Sequence, residues 1–202
     1  WVGGDGGLFI TTTPQGIGDI FNYRNTGIGS LLTHKLASHP QHESVLYAGS
    51  QDNGCMRYTG EETWFCAVHS DAGCIVINKR HPERMVIGYV SNSIFGVTDG
   101  GISNRAGSFT FATHNNLDPN ILFYPPIIGP PAPADDAEAE RIAWGAERVW
   151  LSDNFGAVFN PLPTPAGRSI LSSGAFSSGV NDSRVRSFCF ADQNHLFAGL
   201  MN

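Results

Sequence analysis

Three aspartates in this sequence of 202 residues occupy turns between short apolar runs. They are Asp5 in GGDGG, Asp52 in AGSQDNG and Asp71 in HSDAG. Two carboxylates held several ångströms apart can act as the acid and the base, or as the acid and the nucleophile, that cleave a glycosidic bond. A structural explanation is also open, because Asp before Gly or Asn is preferred in tight hairpin turns that need a positive φ.

The seven histidines do not point to a metal centre. None shows the His-x-His or His-x3-His spacing that favours zinc. His39 and His81 each precede a proline and are better interpreted as turn residues. No loop has the dense Asp and Asn pattern of a calcium-binding loop. We therefore expect neither a metal nor a cofactor.

The elements that position the aspartates repeat along the chain. Three stretches each contain an apolar run, a turn of Asp, Asn or Gly, a second apolar run and a loop containing Gly: Trp1–Thr11, Leu46–Gly60 and Met85–Gly101. Repeats of ~40–50 residues built from short strands are typical of β-propeller blades. The sequence thus predicts an all-β chain, a β-propeller of four-stranded antiparallel blades with about four blade equivalents. We expect residues 1–202 to be a segment of a larger propeller.

The apolar runs, bounded by Gly, Pro, Asn and Asp, predict the strands. With the strands of a blade named A to D from the axis outward, they are Trp1–Gly4, Gly7–Thr12 and Ile20–Arg24; Leu31–Ala37, Val45–Gly49, Cys55–Tyr58 and Thr63–Val68; Cys74–Asn78, Met85–Val90, Ser93–Thr98 and Ser108–Thr113; Ile121–Ile128, Arg141–Gly145, Arg148–Ser152 and part of Phe159–Ile170; Val185–Ala191 and His195–Leu200. Residues 125–141, rich in Pro and acidic residues, are expected to form a long exposed loop inserted within the fourth blade.

This strand order also predicts which turns share an end of the blades. In an antiparallel A-to-D blade, the B–C and D–A loops lie at one end, and the A–B and C–D loops lie at the other. Asp5, Asp52 and Asp71 should therefore lie at one end, with Asp99 and Asn154 at the opposite end.

Three segments resemble the Asp box, Ser/Thr-x-Asp-x-Gly-x-x-Trp/Phe, of the C–D hairpin. They are SDNFGAVF (Ser152–Phe159), VTDGGISN (Val97–Asn104) and RYTGEETW (Arg57–Trp64). Together with GGDGGLF and AGSQDNG, they make the chain similar to the Asp-box (BNR-like) propellers, on the side of the family 74 xyloglucanases and sortilin-type receptors. The resemblance implies that the Asp-box residues are structural. It also implies that Asp52 resembles a catalytic Asp of the xyloglucanases, whereas no second acid can be assigned.

Charge and hydropathy exclude two kinds of partner. The formal net charge is −6, so the basic patch expected of a nucleic-acid-binding protein is missing. No apolar run approaches the ~20 residues that span a membrane. We expect no nucleic-acid partner and no membrane span in this segment.

Two functions remain open. The first is a non-catalytic, extracytoplasmic binding or assembly module, with Asp5, Asp52 and Asp71 as candidate ligand-binding residues and a polysaccharide or a protein as ligand. The alternative is a glycoside hydrolase of xyloglucanase type, acting on a β-linked polysaccharide with Asp52 as one acid.

The pairing of the cysteines would indicate the cellular compartment of the protein. If Tyr58 pairs with Thr63, then Cys55 stands opposite Cys66 at a separation that a disulfide can bridge. Two small apolar side chains sharing a strand face would be the alternative. A bridge would indicate an oxidising compartment. Cys74 and Cys189 are expected to be buried thiols.

Overall fold

The structure is a computed structural model. It describes residues 2–4, 7–11, 22–24, 26, 31–90, 93–102, 109–110, 121–146, 148–162, 184–192 and 195–200. The chain divides into two compact units, Trp1–Leu31 and Leu32–Asn202. In unit 1, β1 (Val2–Gly4), β2 (Gly7–Ile10) and β3 (Asn22–Tyr23) form an antiparallel sheet in chain order.

In its described residues, unit 2 has three four-stranded sheets and one two-stranded sheet. The strands of the first two are β4 (Thr33–Ser38), β5 (Leu46–Ser50), β6 (Gly54–Tyr58) and β7 (Phe65–Val68), then β8 (Ile75–Ile77), β9 (Met85–Gly88), β10 (Ile94–Val97) and β11 (Phe109–Thr110). The third sheet has β12 (Ile127–Ile128), β13 (Ile142–Gly145), β14 (Val149–Ser152) and β15 (Asn160–Pro161). The last pair is β16 (Val185–Asp192) and β17 (His195–Leu200). Each sheet is an antiparallel meander, as predicted.

The central strands are continuous apolar runs because both of their faces are covered. In β8, Ile75 and Ile77 belong to the apolar cluster shared with the β4–β7 sheet, whereas Val76 belongs to the cluster shared with the third sheet. In β9, Ile87 belongs to the first of these clusters and Val86 to the second. Side chains of a strand alternate between its two faces, so one strand contributes to two cores.

The first strands of the four sheets of unit 2 are neighbours. Strand β4 packs next to β8, β8 next to β12, and β12 next to β16. Together they line one cavity of about 530 Å³. Sheets that pack face to face, with their first strands around a common centre, are blades of a β-propeller. The predicted fold class is therefore confirmed.

The turns after β10 and β14 have matching geometry. Gly100 and Phe155 both have positive φ, 67° and 51°. Each donates its N–H to a carbonyl of the A–B connection in its own sheet, at 2.8 Å to Glu83 and 2.7 Å to Glu140. This shared geometry places both turns against the same part of their blades.

Side chains satisfy the backbone within these turns. Oδ1 of Asp99 accepts the N–H of Gly101 at 2.9 Å. Oδ1 of Asn154 accepts the N–H of Val158 at 2.8 Å, and the hydroxyl of Ser152 donates to the same Oδ1. These contacts are the turn chemistry of Asx residues.

Residues 125–141 contain β12 and the four-residue helix α1 (Asp136–Ala139), and only part of the segment is exposed. The side chain of Asp135 accepts the N–H of Glu138 at the start of α1. Buried Asn78 donates to the carbonyl of Ala139, and Arg84 forms a two-point ion pair with Glu140. The segment is thereby attached to the neighbouring sheet.

The predicted Cys55–Cys66 disulfide is wrong, since both are free thiols. The cross-strand partner of Cys66 is Met56, whereas Cys55 pairs with Val68. A β-bulge with Ala67 as the extra residue separates these pairs, and the hairpin loop is one residue longer than expected. A shift of one residue reverses the face that a side chain occupies.

The prediction of burial is also wrong for Cys189, whose side chain is exposed on β16, and only partly right for half-buried Cys74. Burial of Cys189 was predicted from the apolar run SFCFA. In the described part of the chain, β16 pairs with β17 alone, and most of its side chains are exposed.

Candidate functional site

The structure brings Asp52 and Asp71 together. Asp52 lies in the turn that joins β5 to β6, and its φ is 62°. Asp71 lies in the connection from β7 to β8. Its Oδ1 accepts the N–H of Asp52 at 2.7 Å. Two of the three predicted site residues therefore adjoin one another, whereas Asp5 lies outside the described residues.

Close backbone packing holds these two segments in place. The N–H of Ala72 donates to the carbonyl of Ser50 at 3.0 Å. Gly54 has a φ of 79°, and a Cβ at this position would lie 2.1 Å from the carbonyl oxygen of Val68. Ser70, which precedes Asp71, also has a positive φ of 81°. Left-handed backbone at non-glycine residues is concentrated at functional sites and persists only where the surroundings enforce it.

A tyrosine that precedes β12 completes the site. The ring of Tyr124 lies over Gly73, where a Cβ would be 2.7 Å from its Cδ1. It also packs against the ring of His34, with centroids 4.2 Å apart. Burial, then the carboxylates of Asp71 and Asp52, raise the pKa of Tyr124 to about 12. The hydroxyl is a buried, protonated donor at neutral pH, close to the carboxylate of Asp71.

Two further aromatic residues border the site. The hydroxyl of Ser70 donates to that of Tyr89 at 3.2 Å, so Tyr89 is tied to the loop that carries Asp71. Phe123 is 55% exposed and meets Tyr124 edge-on, with centroids 4.8 Å apart. We name Asp52, Asp71, Tyr89, Phe123 and Tyr124 the rim site. It combines carboxylates and hydroxyls with one exposed apolar ring.

The sequence did not single out Tyr89, Phe123 or Tyr124. Its place in the blade could have indicated Tyr89. Tyr89 follows the B strand β9, just as the turn with Asp52 follows the B strand β5. Phe123 and Tyr124 lie in the connection that leads into the A strand β12, just as Asp71 lies in the connection that leads into the A strand β8. Asp99 and Asn154 lie in C–D turns, at the end of the strands opposite Asp52, as loop order predicted.

Within the described residues, no group of three or more His, Cys, Asp or Glu side chains is placed to hold a metal ion. The helix in this part of the chain, α1, has four residues, and no described helix is long and apolar enough to cross a membrane.

Comparison with known proteins assigns no activity to the chain. No family model and no curated protein matches the chain. Among solved structures, it is similar to the crystal structure of an ancestral GH74 enzyme, with a TM-score of 0.48 and 12% identity over 66% of this chain. The match covers 18% of that enzyme. A likeness this distant transfers no residue's role to this chain.

Proposed function

We propose that this chain belongs to a non-catalytic, extracytoplasmic β-propeller that acts as a binding module, with the rim site as its contact with a polysaccharide. The observation that carries the proposal is the 2.7 Å hydrogen bond from the N–H of Asp52 to the carboxylate of Asp71. This bond gives Asp71 a structural task, because it joins the β5–β6 turn to the β7–β8 connection.

The surface around this bond suits a hydroxyl-rich ligand. Asp52 has an exposed side chain that can accept hydrogen bonds from sugar hydroxyls. Phe123 offers an exposed apolar ring next to Tyr124, and ligand sites combine such apolar surface with a few placed polar groups. Location outside the cytoplasm remains a prediction from sequence, to which the free thiols of Cys55 and Cys66 add no support.

Affinity electrophoresis through gels containing soluble β-linked glucans tests this proposal. The wild-type chain should be retarded, and Phe123→Ala should lose most of the retardation. Val158→Ala is the matched control, since Val158 is an exposed apolar residue in a C–D turn. Equal retardation of all three proteins would rule out the rim site as the contact, and no retardation by any glucan would remove the polysaccharide proposal.

A second candidate function is glycoside hydrolysis, with Asp52 and Asp71 as the two carboxylates. It is favoured by the closeness of two carboxylates, Asp52 and Asp71, to the hydroxyl of Tyr124. Reducing ends released from β-glucan, and lost in both Asp52→Asn and Asp71→Asn, would establish hydrolysis. Binding without release by the wild type would establish the binding module instead.

A further inference from the structure

The cavity lined by the first strands of unit 2 has a distinctive charge. Its volume is about 530 Å³, within the usual range for small-ligand sites. Four basic side chains contribute to its described lining: His34, Lys35, Lys79 and Arg186. The lining that the structure describes contains neither Asp nor Glu. The chain has only two lysines, and both line this cavity.

This arrangement contrasts with the rest of the chain, whose formal net charge is −6. A cleft lined by charges of one sign, with walls of low dielectric constant, concentrates its field and attracts the opposite charge. The lining also contains apolar side chains, among them Ile127, Ile128 and Phe188. The cavity is open to solvent and presents cationic and apolar side chains together.

We propose that this cavity binds a small organic anion, a carboxylate or phosphate group on an apolar body. The anionic group lies with the ammonium groups of Lys35 and Lys79, and the apolar body packs on Ile127 and Phe188. This site is distinct from the rim site, because none of the five rim-site residues lines the cavity. His34 is the link between them, since it lines the cavity and packs against Tyr124.

The presence of only two lysines makes a direct test possible. Reductive methylation with ¹³C-formaldehyde labels Lys35, Lys79 and the terminal amine, and it keeps the charge of each ammonium group. Titration with hexanoate, and separately with inorganic phosphate, at constant ionic strength should move both lysine signals along saturating curves with one dissociation constant. Hexanol, the neutral counterpart, should bind more weakly than hexanoate. Linear shifts, or shifts equal to those from chloride, would overturn the proposal.

Charge variants provide the second arm, read out by isothermal titration of hexanoate. Lys35→Gln and Lys79→Gln should each weaken binding about two- to fivefold, as expected for a partly exposed ion pair. Lys35→Arg and Lys79→Arg should keep it. The matched control is Arg24→Gln, which makes the same charge change in unit 1. An equal loss in Arg24→Gln would show a net-charge effect and contradict a site in the cavity.

Discussion

The phenol of Tyr47 donates a hydrogen bond to the carbonyl of Gly100, 2.8 Å away in the neighbouring sheet. Tyr47 is almost completely buried on β5, and Nε of Arg57 donates to its hydroxyl at 3.2 Å. One side chain thus joins the core of one blade to the C–D turn of the next. Because the hydroxyl both donates and accepts, its removal leaves two polar groups without this partner.

Replacing Tyr47 with Phe should destabilise the fold by about 1–3 kcal/mol, the cost of leaving a buried polar group unsatisfied. The midpoint of urea unfolding measures it. Tyr58→Phe is the control, since half-buried Tyr58 stacks on Trp64 with centroids 5.1 Å apart. It should change stability by less than about 0.5 kcal/mol. Equal effects from both variants would contradict the inter-sheet role of Tyr47.

Removing the carboxylate of Asp71 should loosen the turn that carries Asp52. Asp71→Ala should cost about 0.5–2 kcal/mol, as for the loss of other side-chain acceptors of backbone N–H groups. Hydrogen exchange of the Asp52 amide should accelerate more than exchange in strand β9. Asp71→Asn keeps an oxygen acceptor and should show a smaller change. If Asp71→Ala leaves that amide as protected as before, the 2.7 Å contact does not hold the turn.

Stability should fall as the pH rises above about 9. Burial raises the pKa of Cys55 to about 12 from its ordinary value of 9. A raised pKa means that the folded state favours the neutral thiol. This contribution is complete below the unfolded pKa and is lost as the pH rises from about 9 through 12. Unfolding free energies at pH 8, 9 and 10 should therefore decline.

Comparison with Cys55→Ala isolates the contribution of this thiol. The variant should be less stable than wild type at pH 8, because it leaves a small cavity, but its stability should decline less steeply with pH. Tyr124, whose pKa is raised to about 12, and Tyr47, whose pKa burial also raises, contribute above pH 10. Parallel declines of wild type and variant between pH 8 and 10 would show that Cys55 is not the responsible group.

The Arg84–Glu140 ion pair should contribute more to the free energy of unfolding than the Arg80–Asp136 pair. The two terminal nitrogens of the Arg84 guanidinium, Nη1 and Nη2, donate to the carboxylate of partly buried Glu140, whereas Arg80 and Asp136 are more exposed. Glu140→Gln should cost about 1–3 kcal/mol, because it leaves Arg84 partly buried without its counterion. Asp136→Asn should change the urea midpoint far less. A reversed order would mean that burial does not set the strength of these pairs.

Most of the strands could be predicted from sequence because they are short runs rich in apolar residues, many of them bounded by Gly, Pro, Asn or Asp. Every predicted strand region overlaps an observed strand, and β17 (His195–Leu200) agrees at both ends. The register of β6 and β7 could not be predicted in the same way. A bulge at Ala67 changes the partner of Cys66 without altering the apolar pattern, since Ala67 and Val68 are both buried.

The rim site was predictable only in part. Loop order placed Asp52 and Asp71 at the same end of the strands, because that follows from counting antiparallel strands. The presence of Tyr124 depends on a contact with Gly73, 51 positions earlier in the chain, where the missing Cβ admits the ring. No local sequence pattern encodes such a contact. The place of Tyr124 in the site is therefore evident only from the packing of the sheets.

The two-faced burial of β8 leaves one of its apolar faces uncovered while the chain is being synthesised. Val76, Val86 and Ile94 lose their contact with water only when Trp144 and Trp150 of the third sheet arrive. A nascent chain that has emerged only as far as residue 125 therefore exposes an apolar surface to water and to other chains. Partly built intermediates of this kind are prone to aggregation. A ribosomal pause before residue 142 would prolong the exposure of this apolar surface, and a chaperone could bind to it.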